Sequence, residues 1–256
     1  MFKIWVFFFQ RLRILSSIAI RLTKLTGKSK EPIHPKHLAN FEPWFKKFLD
    51  KNDLVLDIGC NNGQQTLKAA KVVKKIIGID VDEKELERAK SEAQRLKIKN
   101  VKILKSTAEE KLDFWDKTFD KVLFFDVLEH IENQNLALSE IWRVLKKNGL
   151  LLLSVPNKNT SWKRLQRSVG LSYFSDPDHK REYSKAEITK LLENHKFTIL
   201  KMSPVVFDTP FAPIFDLVGG FSISVYKKLA AWKRKKAIEN PAESTGFEIV
   251  AQKASR

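Results

Sequence analysis

Short apolar runs alternate with stretches whose apolar positions recur every three or four residues, from about residue 36 to the end of the chain. Apolar runs of that length suit buried strands, and the intervening periodicity suits helices that pack one face on a sheet. The alternation predicts consecutive βαβ units and an α/β fold, a doubly wound, mostly parallel sheet of seven strands. Strands are expected at 53–57, 75–80, 101–105, 120–126, 149–155, 196–202 and 246–252, and helices at 37–50, 64–73, 83–96, 133–146 and 184–194. No internal repeat is visible.

Ahead of this region, Phe2 to Leu25 is rich in Phe, Ile and Leu, but Arg11, Arg13, Arg21 and Lys24 interrupt it. No run reaches the ~18 apolar residues of a spanning helix. A secretory leader is also a poor reading, because the apolar run Ile4–Phe9 is short and no small-residue cleavage site follows. At about 100° per residue, Lys3, Gln10, Arg13, Ser17, Arg21 and Lys24 fall on one narrow face and apolar residues fill the rest, the pattern of a helix lying in a membrane interface. The other reading is a helix that packs its wide apolar face on the domain or on another subunit. Gly27 to Pro35 reads as a linker. The expected organisation is an amphipathic helix and linker over 1–35, then one domain over 36–256 with an apolar and basic insertion at 203–245.

Charge sharpens that picture. The formal net charge is +17, and residues 1–50 carry 10 Lys/Arg against 3 Asp/Glu, residues 161–256 carry 17 against 10, and the middle 51–160 is nearly balanced at 20 against 17. The surplus therefore sits on the flanks and suits an anionic partner: a membrane leaflet, a nucleic acid or a phosphorylated substrate. Cys60 is the single cysteine, which excludes an internal disulfide framework and fits a reducing, cytoplasmic setting. With no cysteine pair and only five scattered histidines, no metal site is expected. His34-Pro-Lys-His37 is read as linker because Pro35 is expected to break helical spacing between the two imidazoles.

The chemistry concentrates in Leu54-Val55-Leu56-Asp57-Ile58-Gly59-Cys60-Asn61-Asn62-Gly63, an apolar strand running into a glycine-bearing turn and then a helix. Glycines at such a strand end let the backbone approach a ligand closely, and open α/β sheets bind ligands beyond the carboxyl ends of their strands. The next strand ends in Asp80, 23 positions after Asp57, close to the spacing at which such folds set an acid against ribose hydroxyls. A dinucleotide site would need G-x-G-x-x-G, whereas this turn has Gly59 and Gly63 with Asn61 between them. The lysine of a phosphate-binding loop is absent as well.

These residues resemble the class I S-adenosylmethionine-dependent methyltransferases, in particular the type-11 group that includes the quinone-biosynthesis O-methyltransferases. The resemblance covers about 53–156 well and 179–202 loosely, and it implies a Rossmann-like methyltransferase fold with S-adenosylmethionine as cofactor. By that resemblance Asp57, Gly59, Cys60 and Gly63 surround the methionine moiety, Asp80 with Val81 holds the ribose, and Thr107 and Ala108 line the adenine pocket. Thr107 stands where the family carries an acid, and Asn61 where it often carries glycine. Phe119-Asp-Lys-Val-Leu-Phe-Phe-Asp126-Val-Leu-Glu129-His130-Ile131 and Leu136 to Gly149, ending in Ser154-Val-Pro-Asn157, continue the family pattern. Asp126 is expected at a strand end facing the transferred methyl.

Methyl transfer asks mainly for in-line positioning, with a base when the acceptor is a hydroxyl. His130 and His179 are the candidate bases, since an imidazole titrates near neutrality. A structural histidine bonded to backbone is the alternative for each. Glu129 is a further candidate for orienting cofactor or substrate. Within 203–245, apolar segments end in Lys233-Arg-Lys-Lys236, which suits a lid resting on anionic lipid over a hydrophobic acceptor, or an ordinary packing helix with a solvated tail. The expected function is methyl transfer, to an oxygen of a lipid-like or other small-molecule acceptor at the inner face of a membrane. An RNA methyltransferase using basic flanks, and a non-catalytic protein that keeps the cofactor fold, are the other readings; oligomeric state is left open.

Overall fold

The computed structural model describes residues 2–39 and 41–254. From the N-terminus these form α1 (Phe2–Arg11), α2 (Ile14–Leu25), α3 (Pro35–Leu38), β1 (Leu54–Ile58), α4 (Gln64–Ala70), β2 (Lys75–Asp80), α5 (Glu83–Arg95), β3 (Val101–Lys105), β4 (Phe119–Phe125) and α6 (Gln134–Val144). There follow β5 (Leu145–Pro156), α7 (Ser161–Ser168), α8 (Lys185–Asn194), β6 (Phe197–Pro204), α9 (Ala212–Phe221), α10 (Ile223–Glu239) and β7 (Gly246–Lys253). The seven strands form one sheet in the order β3-β2-β1-β4-β5-β7-β6, and the β3–β2, β2–β1, β1–β4 and β4–β5 pairs are parallel. This is the expected doubly wound α/β architecture. Strand order reverses between β1 and β4, which opens a crevice beyond their carboxyl ends.

The chain divides into two compact units. One comprises 42–156, 178–202 and 247–256 and holds nearly all of the sheet. Its strands are buried on both faces: Leu56, Ile58, Val122 and Phe124 on one and Val55, Leu123 and Leu152 on the other are all 2% exposed or less, as expected of a parallel sheet covered by helices. Local signals set the helix starts. Asp82 caps α5 by accepting from the backbone N–H groups of Lys84 and Glu85 (2.9 and 3.2 Å), and Ser184 with Glu187 forms a capping box on α8. Arg143 on α6 clamps the loop before β4, donating to the carbonyls of Leu112 (2.9 Å) and Phe114 (2.7 Å) while paired with Glu140 (2.7 Å).

The helix expected over 37–50 does not form. Among the described residues there, only α3 and a single 3-10 turn at Lys46–Phe48 are helical. Pro43 lacks the N–H that a helix interior needs, and the aromatic residues of the segment pack on the sheet instead, with Phe45 stacked on Phe125 at 4.9 Å. Strand β5 begins earlier than expected, at Leu145, because an irregularity opposite Phe119/Lys121 lets the pairing run on.

The second unit comprises 1–41, 157–177 and 203–246. Within this unit the N-terminal helices and the segment 203–245 pack together. Helix α2 runs along α9, where Gly220 permits close approach: a Cβ there would stand 2.9 Å from the Leu22 Cβ. The stretch read as a linker is fastened by Thr23, which is fully buried; its hydroxyl donates to the Ile33 carbonyl (2.8 Å) and accepts from the Ile33 N–H (3.2 Å). Pro35 opens α3 rather than breaking a helix, and His34 Nε2 lies 3.2 Å from Asp216 Oδ2, which also accepts from Ser16 (2.7 Å).

Candidate cofactor and methyl-transfer site

The segments that follow β1, β2, β3 and β4 each contribute a residue singled out above. The turn after β1 starts at Gly59, whose φ of +75° is a left-handed conformation and whose Cβ, if present, would lie 2.2 Å from Val127 Cγ2. Only glycine satisfies both constraints. The N–H groups of Gly59 and Cys60 donate to the Ile79 carbonyl (2.8 and 3.0 Å), tying the turn to the end of β2. Asn61 has φ 47°, a conformation its short polar side chain tolerates. Gly63, also left-handed, is the N-cap of α4.

Asp57 lies beneath the turn, 3% exposed, and accepts from the Thr66 hydroxyl of α4 at 2.6 Å. Burial, opposed by that hydrogen bond and reinforced by the charge of Asp80, pushes its carboxyl up to about 7. The Cys60 thiol packs with Leu86, Ala89 and Ile103 under α5, and burial with the nearby Asp57 and Asp80 carboxylates raises it far above the ordinary range. Burial thus disfavours a nucleophilic thiolate at Cys60.

Asp80 is half-buried at the end of β2 and accepts from the N–H groups of Asn61 (2.8 Å) and Asp82 (3.0 Å), so one carboxylate joins both turns. Beyond it, Val81 is 61% exposed, an apolar side chain left open beside the crevice. After β3, Ser106 donates its N–H to the Asp80 carbonyl (3.0 Å), Thr107 accepts from Glu109 N–H (3.1 Å), and Ala108 is buried.

Asp126, just past β4, has φ +55° and is exposed, with its Oδ1 accepting from the Ser154 hydroxyl at 2.8 Å. A 3-10 turn then carries Leu128–His130. His130 and His179 lie 49 positions apart in sequence, yet their rings meet edge to face with centroids 4.8 Å apart. His130 Nδ1 is 3.3 Å from the Asp178 carbonyl, His179 Nδ1 is 3.1 Å from Glu182 Oε1, and His179 Nε2 is 4.0 Å from Glu129 Oε1. Among the described residues, these three form a group of potential metal ligands, which the sequence had not led us to expect.

The sequence reading did not single out Thr66, Val127, Ser154 or Glu182. For Thr66 and Val127 nothing in the spacing distinguishes them, since their roles arise from contacts across elements. Glu182 carried a signal: it follows the candidate base His179 by three residues.

The residues fit S-adenosylmethionine. A glycine turn that a Cβ would block, an acid at the end of β2, an open valine beside it and a buried acid under the turn suit a polar, ribose-bearing ligand with an adenine ring. Comparison with known proteins agrees. Residues 49–197 match the methyltransferase-domain family, and the chain belongs to the S-adenosylmethionine-dependent methyltransferases. It is 32% identical over 145 residues to a probable S-adenosylmethionine-dependent methyltransferase of Mycolicibacterium smegmatis, a match covering 57% of this chain and 52% of that protein. It is 29% identical over 177 residues to a ubiquinone biosynthesis O-methyltransferase of Bradyrhizobium diazoefficiens, covering 66% of this chain and 68% of that one. The chain thus spans about half the length of the first relative and two thirds of the second. In fold it is similar to the crystal structure of YcgJ from Bacillus subtilis (TM-score 0.56, 23% identity, 81% of this chain and 93% of that one).

When bound, the cofactor supplies an electrophilic sulfonium methyl group. By the family resemblance, Gly59 and Gly63 would shape the turn that admits its methionine end, Asp80 would offer carboxylate oxygens to ribose hydroxyls, and Thr107 with Ala108 would border the base. Asp126 and the two imidazoles stand on the segments that follow β4 and precede α8.

Proposed function

We propose that the chain transfers a methyl group from S-adenosylmethionine to an oxygen of a lipid-like or other small-molecule acceptor, while lying peripherally on an anionic membrane surface at the cytoplasmic face. The observation that carries this reading is a surface of exposed apolar and basic residues on the helical unit. Ile4, Phe7, Phe8 and Arg11 on α1, and Ile14, Ile18, Arg21 and Leu25 on α2, recur at three- and four-residue spacing and are all exposed, Ile4 and Leu25 by 70% and 80%. Lys3, Arg13 and Lys24 are exposed as well, and Gln10 and Arg13 fix the two helices to the carbonyls of Ser172 (2.7 Å) and Phe174 (3.2 Å). Water does not select such an arrangement, whereas a lipid interface does.

Helices α9 and α10 add Phe221, Val225, Trp232 and Ile238, all exposed, beside Arg234, Lys235 and Lys236. Each cation near an anionic leaflet contributes about 1 kcal/mol. Among the described residues no helix is long and apolar enough to cross a membrane, so attachment is by lying on the surface. The name of the Bradyrhizobium relative, an O-methyltransferase, supports oxygen as the acceptor atom. An oxygen acceptor must lose a proton, and His130 and His179 are the groups placed to take it.

Co-sedimentation with vesicles tests this reading. The full chain should sediment with vesicles rich in anionic phospholipid and much less with zwitterionic ones, and Trp5→Glu/Phe8→Glu should weaken partitioning at least tenfold without lowering the melting temperature. Equal partitioning of variant and wild type, or none to either vesicle, would overturn the membrane part of the reading and direct the search to soluble or nucleic-acid acceptors.

A further inference from the structure

Glu129, His130 and His179 each bring one ligand atom within 4.8 Å of the other two. We propose that they form a site for one divalent transition-metal ion of borderline softness, such as Zn2+, Co2+ or Ni2+, a site that does not depend on the methyl-transfer reading. Two imidazole nitrogens and one carboxylate oxygen are the donors such ions prefer, and three protein donors leave positions open for water or an oxygen-bearing molecule.

Tautomers support the assignment. The Asp178 carbonyl can only accept, so the His130 Nδ1 facing it carries the hydrogen, and His179 Nδ1 faces Glu182 Oε1 in the same way. In the neutral imidazole each Nε2 is then a lone pair, and His179 directs its own toward Glu129. A histidine that gives its other N–H to a carboxylate or a backbone carbonyl is the usual support for a metal ligand, since that bond fixes the ring and raises its basicity.

The 4.0 Å between His179 Nε2 and Glu129 Oε1 is too long for an N–H···O bond. Donors sharing one ion at bond lengths near 2.1 Å stand about 3 to 3.5 Å apart, so side-chain rotations of about an ångström close the set. The backbone under it is already fixed. Lys180 and Arg181 both donate their N–H groups to the Glu129 carbonyl (2.9 and 3.2 Å), joining the two ligand-bearing segments. Glu129 is 1% exposed and the His179 side chain 8%, so two of the three donors are buried.

The chelator-treated full chain should be titrated calorimetrically with Zn2+ and optically with Co2+. One ion per chain is expected, with binding lost in His130→Ala and His179→Ala. Glu182→Gln, which touches only a ligand's far nitrogen, should weaken affinity about 10–100-fold with an unchanged circular dichroism spectrum. The double variant His34→Ala/His37→Ala should bind as wild type does. No binding by wild type, equal affinity in Glu182→Gln, or loss of binding in the His34/His37 variant would each overturn the proposal; should an alanine variant fail to fold, Glu182→Gln decides.

Discussion

At Asp57 the sequence places an acid where the fold leaves no water. A carboxyl lifted to about 7 by burial from its ordinary 3.8 takes up a proton on folding. Its contribution to stability is fully present below the unfolded value and is lost as pH rises through the folded value. Asp57→Asn mimics the protonated acid and its amide oxygen can still accept from Thr66. The variant should therefore melt at a higher temperature than wild type near pH 8 and at nearly the same temperature near pH 4, which paired thermal melts across about pH 4 to 8 would measure. A difference independent of pH would contradict this account of the buried acid. The residues around Asp57 show what a sequence can and cannot display. Gly59, Gly63 and Asp80 were legible because strand, turn and acid follow one another locally. Thr66, Ser154 and the meeting of His130 with His179 were not, since each pairs side chains from segments distant in sequence.

Among the elements, six of the seven strands fall within two residues of expectation at both ends, because an apolar run bounded by turn residues is a strong local signal. The failures have physical causes. Residues 37–50 carry helix-like apolar spacing, but Pro43 and the pull of Trp44, Phe45 and Phe48 toward the sheet prevail. Helices α7, α9 and α10 were not assigned: α9 is apolar through most of its length, and α10 mixes apolar and basic residues with little periodicity to read. The packing of α2 on α9 gives an element-scale prediction. Gly220→Ala gains about 1 kcal/mol of helix propensity, but its Cβ would meet Leu22 Cβ at 2.9 Å and the Ala19 carbonyl oxygen at 3.2 Å. Overpacking costs about 1–3 kcal/mol and should win, so the melting temperature should fall; a rise would mean that the two helices do not pack this closely.

For the molecule as a whole, charge and apolar exposure are segregated. Residues 51–160, which hold the cofactor motifs, are nearly balanced in charge, whereas the flanks carry the surplus cations and the exposed Ile, Phe and Trp side chains of the helical unit. That division was legible in the composition; the joining of the N-terminal helices and the late insertion into one unit was not, because it rests on contacts between residues 200 positions apart, such as Ser16 and Asp216. The central claim is that the glycine turn and Asp80 hold S-adenosylmethionine. The most direct test is a calorimetric titration of the full chain and of Asp80→Asn with the cofactor. Saturable one-to-one binding, weakened about 10–100-fold in the variant as lost hydrogen bonds to a charged group imply, is the expected result. A folded wild type that binds no cofactor, or a folded variant that binds it equally well, would contradict the account.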